Sequence, residues 1–197
     1  MDESILSSNT DNSLISRETE SNSIISTSFE AQSPISQNLK NHIINAIVAN
    51  LKDIIEENNQ NGRNKYIFRD KVFYLENIPP ITLDKYIRHL VKYTGLNIST
   101  LILSVIYIDN FCEKFKYTLS FNNIYRLILT TIYISLKYNE DIFIKPKSYA
   151  EVAGVSLEDL NNLELQMCVA LDFVFYVSSN YYQQYFVYFS KFSSEGM

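Results

Sequence analysis

The sequence predicts an all-α fold, and three observations carry that reading. Apolar residues return at three- and four-residue steps over several stretches, which builds one face of a helix. Helix-capping residues stand at the edges of those stretches: Thr82 and Ser156 open two of them, and Gly95 and Gly154 close two. No stretch alternates apolar and polar residues between hairpin-turn dipeptides.

Residues 1–37 are rich in Ser, Asn and Thr and have no sustained apolar period, so they bury too little surface to offset chain entropy and are expected to be disordered. They hold a loose repeat, Ser4-Ile5-Leu6-Ser7, Ser13-Leu14-Ile15-Ser16, Ser23-Ile24-Ile25-Ser26 and Ser33-Pro34-Ile35-Ser36. It reads either as short sticky motifs on a polar tail or, with the greater weight, as drift in a low-complexity segment. From Leu39 the pattern changes. Leu39, Ile43, Ile47, Leu51, Ile54 and Ile55 share one helical face, which ends in the polar run from Glu56 to Asn64 with Gly62 as breaker. A connector holding Phe68, Phe73 and Tyr74 runs to Pro79-Pro80.

Four helical segments follow. The first starts at Thr82, with Ile81 and Tyr86 placed as a hydrophobic staple, and ends at Gly95. The second spans about Ser99 to Lys114. The third, Phe121 to Tyr138, is apolar around most of its circumference, as a helix surrounded by others should be. The fourth starts at Ser156, where Asp159 completes a capping box and Val155 faces Leu160, and runs to about Leu171. A short helical turn, Tyr149 to Ala153, precedes it and stops at Gly154. The aromatic stretch Tyr181 to Phe192 can form one more helix.

Composition narrows function by exclusion. A net charge of −5 without a Lys/Arg cluster argues against a nucleic-acid or anionic-membrane partner. No leader-like start is visible, and the most apolar run, Ile98 to Phe111, is short for a bilayer span and contains Asp109, so an intracellular protein is expected. The four glycines are isolated, which excludes a glycine-rich phosphate loop. His42 and His89 lack companions at metal-ligand spacing, and Cys112 and Cys168 read as reduced, buried small hydrophobes. No serine or cysteine sits in a nucleophile motif. Neither a cofactor nor an enzymatic activity is expected.

Two stripes carry polar groups where packing would favour apolar ones. On the last long helix Leu160, Leu163, Met167, Cys168 and Leu171 share a side, and Glu164 lies among them. A lone buried polar group costs about 2–7 kcal/mol and a charge more, so Glu164 either finds a donor inside the fold or emerges where a partner supplies one. On the third helix Arg126, Thr130, Tyr133 and Lys137 form a strip of donors. Lys137, in the last turn, also complements the helix dipole, worth about 0.3–1 kcal/mol.

Pro80-Ile81 through Tyr86-Ile87-Arg88, Tyr107-Ile108-Asp109, Asn123-Ile124-Tyr125-Arg126-Leu127 and Ser135-Leu136-Lys137-Tyr138 together resemble successive helices of a cyclin box. Ser148-Tyr149-Ala150-Glu151-Val152-Ala153-Gly154 and Leu163-Glu164 through Leu171-Asp172-Phe173 extend the resemblance, which is greatest to P-type cyclins related to the fungal phosphate-pathway cyclin. It covers about Leu39 to Tyr188 and rests on the order and spacing of the motifs rather than on any one of them. It implies a single five-helix cyclin box at 81–174, a flanking helix at 38–58, a connector at 59–80 and a helical extension at 175–197. It implies as well a regulatory subunit that forms a heterodimer with a cyclin-dependent protein kinase and switches it on. In that family a lysine closing the third box helix and a glutamate early in the fifth hold the kinase near the start of its αC helix; here these are Lys137 and Glu164. Leu136, Leu160, Leu163 and Tyr133 are expected to add contact area, with some of the leucines facing the core instead.

The chain also departs from the family pattern. Asn110 stands where an arginine usually follows the aspartate of the second helix, Tyr125 replaces a frequent histidine, and Tyr86 to Lys92 offer no counterpart of the substrate-docking patch of cell-cycle cyclins. About two dozen residues follow Phe173, too few for a second box. Ser33-Pro34 is a proline-directed acceptor that a bound kinase can phosphorylate. The alternative readings are a cyclin-fold transcription adaptor, which the acidic balance disfavours, and a helical scaffold without a kinase partner.

Overall fold

The computed structural model describes residues 34–61, 71–141 and 144–192, and among these every regular element is helical. Ser33, the Ser-bounded repeats up to it, Gly62 and Phe68 lie outside the described residues. The chain divides into two units, Met1–Gln37 and Asn38–Met197, and the second carries every contact discussed below.

Helix α1 spans Pro34–Gln60. Four residues of the expected face, Ile43, Ile47, Leu51 and Ile55, are fully enclosed, while Ile54 is half-buried and Leu39, nearer the start of the helix, is exposed. The helix ends at Gln60, inside the polar run that follows Ile55, and within that run Asn58 donates its amide to the Leu119 carbonyl at 3.2 Å. A single turn of 3-10 helix, Lys71–Phe73, then drops Phe73 into the core.

Helix α2 (Leu83–Thr94) is bounded as its sequence dictates. The Thr82 hydroxyl accepts the Lys85 amide at 3.4 Å, and Gly95 ends the helix at φ 67°, the left-handed conformation that a Cβ penalises. Helix α3 (Ile98–Phe115) lacks a side-chain cap of its own. The carboxylate of Glu140 caps it instead, accepting from the Asn97 side chain at 2.9 and 3.0 Å and from the Thr100 hydroxyl at 2.5 Å.

Helix α4 (Ile124–Asn139) is the central rod: every residue from Ile124 to Leu136 is buried except Arg126. It starts three positions later than its apolar pattern does, at Ile124 rather than Phe121. The cause is Asn123, whose side chain accepts from the Ser120 amide and donates to the Thr118 carbonyl, both at 2.9 Å, and so closes a turn that competes with the helix. Helix α5 (Pro146–Ala153) starts earlier than expected because Pro146 supplies a preset first-turn φ without wasting a donor. Helix α6 (Leu157–Ala170) is capped by Ser156, which accepts the Asp159 amide at 3.0 Å. Asp159 does not fold back to complete the box; its carboxylate turns to Arg126. Helix α7 (Ser179–Lys191) realises the aromatic stretch and buries Phe189.

Helix α4 packs against α2, α3 and α6, while α5 bridges α2 and α6 and α7 lies on α3. Tyrosines stitch this assembly. Tyr149 donates to the Leu129 carbonyl (2.7 Å), Tyr125 to Ile81 (2.6 Å), Tyr86 to Ala153 (2.9 Å) and Tyr107 to Phe175 (2.9 Å). Each ring fills apolar volume while its hydroxyl finds a carbonyl acceptor, worth about 0.5–1.5 kcal/mol apiece.

Candidate interaction surface

Lys137 leaves the last turn of α4 and Glu164 the middle of α6, and the two meet with Nζ 2.5 Å from Oε1. The donor that the Glu164 stripe required is therefore inside the fold. The pair is not sealed: its side chains are 37% and 19% exposed. Tyr133, one turn back along α4, lies flat beneath, with Lys137 Nζ 5.3 Å from its ring centre. Partial burial acts to lower the lysine's pKa, but the hydrogen bond and charge of Glu164 outweigh it and hold the ammonium above its ordinary value.

Thr130 and Arg126, two further donors of the α4 strip, also bond within the molecule. Thr130 bonds back to the Arg126 carbonyl at 2.6 Å. Arg126 spans three elements, donating to the Val72 carbonyl at 2.6 Å and to Asp159 at 2.7 Å. Two cations of α4 thus take two carboxylates of α6, and these rungs fix the crossing of the two helices.

Leu136, Leu160, Leu163 and Tyr133 are at most 2% exposed. The structure puts all four in the layer under the ion pair, because their stripes face α4 and α6 toward each other. From the end of α4 to the start of α7, the exposed large apolar residues among those described are different ones: Tyr138, Leu157, Leu165, Val169, Phe173, Val174 and Tyr176. Leu165 and Val169, one turn apart on α6, are 55% and 54% exposed and flank Glu164 and Cys168. Sequence reasoning passed over them because an apolar residue on a helix is first counted as core. The available signal was that α6 carries more apolar residues than one stripe can use.

This patch continues through a left-handed reversal. Asp172 and Phe173, neither of them glycine, adopt φ 52° and 57°, a conformation costing roughly 1–2 kcal/mol per residue. Lys114 from the end of α3 reaches over it, donating to the Ala170 carbonyl at 2.7 Å and to Asp172 Oδ2 at 2.5 Å. Phe173 and Val174 emerge 63% and 64% exposed.

Asp109, deprived of an arginine by Asn110, accepts from the Tyr185 hydroxyl of α7 at 2.9 Å. Burial raises its pKa, with Glu113 adding to the rise and the Tyr185 bond opposing it. The same burial, together with Asp109, pushes the Cys112 thiol up to about 12; burial and Glu164 raise Cys168 against the pull of Lys137. Both cysteines are free and half-buried. His89 is less ordinary than expected: Nε2 donates to the Val152 carbonyl at 2.9 Å. With Tyr86, Tyr125, Arg126, Val155 and Asp159 it lines a cavity of about 640 Å³, in the region where the sequence offers no docking patch. Among the described residues, no group of three His, Cys, Asp or Glu side chains is placed to hold a metal ion, and no helix is long and apolar enough to cross a membrane.

The Cyclin family model matches residues 7–175, most of the chain. The chain belongs to the cyclin family. The all-helical architecture of the described residues is consistent with the cyclin-box fold. This cyclin is 35% identical over 118 residues to cyclin-U2-1 of Arabidopsis thaliana, covering 59% of the chain and 53% of that relative. It is 32% identical over 125 residues to PHO85 cyclin-7 of Saccharomyces cerevisiae, covering 57% of the chain and 44% of the relative. With PHO85 cyclin-like protein psl1 of Schizosaccharomyces pombe it shares 30% identity over 116 residues, 58% and 48% of the two chains. The cyclin spans about half the length of these curated relatives. Plant U-type and PHO85 cyclins alike are thus its kin.

Proposed function

We propose that this cyclin is the regulatory subunit of a cyclin-dependent serine/threonine kinase, binds it as a heterodimer and contributes no catalytic group. One observation supports this best: the Lys137–Glu164 pair is partly exposed, and the two helices that carry it also carry the exposed apolar residues Tyr138, Leu165 and Val169. A patch of that kind, apolar with a charged pair at its edge, suits docking of an amphipathic helix. The kinase αC helix is the proposed occupant. Each member of the pair can exchange part of its present bond for a group on αC, and the buried layer of Leu136, Leu160, Leu163 and Tyr133 keeps the platform rigid beneath. Docking favours the kinase conformer in which the αC glutamate meets the strand lysine that orients ATP. The gain in activity is limited by the difference in affinity of the cyclin for the active and inactive kinase states.

The names of two relatives make a PHO85-type kinase the first partner to test. Co-expression followed by gel filtration and a peptide phosphorylation assay is expected to give a one-to-one complex with activity well above that of the kinase alone. A complex without activation would favour a helical scaffold, and consistent failure to retain any kinase from native extract would remove the reading.

A further inference from the structure

We infer that Lys114 is a positioning residue for the docking surface: it clamps the left-handed turn after α6 and so presents Phe173 and Val174 to the partner. The inference rests on the kinase-docking reading above.

The turn holds two successive non-glycine residues at positive φ, a conformation that persists only where surrounding contacts impose it. Its backbone supplies part of the restraint: the Asp172 amide bonds to the Val169 carbonyl at 3.1 Å, Phe173 to Cys168 at 2.8 Å and Val174 to Leu171 at 2.9 Å. These bonds cap α6 but lie at its end, where helices fray. The side-chain restraint comes from a different helix. Lys114 Nζ grips the turn at both ends, the Ala170 carbonyl before the reversal and the Asp172 carboxylate within it. The ammonium also sits where the dipole of α6 is negative. The turn leaves Phe173 and Val174 exposed, Tyr176 beyond them is 75% exposed, and all three follow the exposed Leu165 and Val169 along the chain. Exposed pairs of this kind add little to global stability. The clamp therefore acts on how the patch is populated, and apparent affinity falls in proportion to the fraction of molecules that hold the competent turn.

The test uses four full-length chains: wild type, Lys114→Met, Lys114→Arg and Lys114→Met with Asp172→Gly. Amide hydrogen exchange is read at Asp172–Val174 and, as a control for the end of α3, at Lys116 and Tyr117. Affinity is measured with a purified PHO85-type kinase. Lys114→Met is expected to speed exchange at the turn and to weaken kinase binding about 5- to 20-fold through the lost competent fraction, with the thermal midpoint within about 2 °C. Lys114→Arg should retain most of the binding. Glycine at position 172 should restore affinity without the lysine, since it adopts positive φ freely. Unchanged exchange at the turn in Lys114→Met overturns the clamp, and so does faster exchange with unaltered affinity. If the turn loosens as expected but wild type itself binds no kinase, the clamp stands and the kinase reading fails.

Discussion

Arg126 of α4 and Asp159 of α6 face each other at 2.7 Å, and the same guanidinium donates to the carbonyl of Val72, so one side chain joins the 3-10 turn, the central helix and α6. Lys137 and Glu164 repeat the pairing farther along α4; there the cation is more exposed, 37% against 20%, and the carboxylate less so, 19% against 29%. What sets the Arg126 pair apart is its second acceptor, the Val72 carbonyl.

Arg126→Met should destabilise the fold by about 1–3 kcal/mol, because it leaves both the Val72 carbonyl and the Asp159 carboxylate without their donor. Urea unfolding followed by circular dichroism measures this, and a loss below about 0.5 kcal/mol would contradict the joining role.

Lys137→Ala and Glu164→Ala should each cost less than about 1 kcal/mol of stability, as exposed pairs do, while weakening kinase binding about tenfold or more. Val169→Arg should do the same from the apolar side of the patch. A large stability loss with intact binding would show that the pair belongs to the core.

The buried Asp109 gives a pH signature. Its folded pKa is raised above 3.8, so the folded state holds this proton more tightly than the unfolded one, and the group costs stability as pH climbs from its ordinary value through the raised one. Asp109→Asn keeps an acceptor for Tyr185 and removes the ionisation. The variant should be more stable than wild type at neutral pH, with the advantage vanishing below about pH 4, where both carry a neutral group. Thermal midpoints at several pH values read this directly, and a pH-independent difference would refute it.

Glu140→Ala should cost about 0.5–2 kcal/mol, the usual value of an N-terminal cap, because Asn97 and Thr100 lose their acceptor. Glu140→Gln should recover part of it. Equal stability of Glu140→Ala and wild type would show that solvent caps α3 equally well.

The helices were legible where local chemistry fixes their ends. Thr82 with Gly95 and Ser156 at the head of α6 mark boundaries that need no tertiary information. A boundary moved where a side chain chose a competing turn: Asn123 shortened α4. The pairing of Lys137 with Glu164 was foreseeable from two stripes that each broke their pattern. Which apolar residues lie outside was not. A helical wheel shows what shares a face, and when α6 is apolar on two faces only the neighbouring helices decide which is covered. Phe173 was harder still, since its exposure follows from a backbone reversal that Lys114 holds from another helix.

The phenolic stitching of the box also gives the protein an optical handle. The chain has fifteen tyrosines and no tryptophan, so its near-ultraviolet spectrum is set largely by phenol rings. Burial lifts the ionisation of Tyr149, Tyr86 and Tyr107 above the usual range. On an alkaline titration these rings should stay colourless at 295 nm until the bundle opens. A step in phenolate absorbance then reports collapse of the fold itself, and any indole emission excited in a complex belongs wholly to the partner.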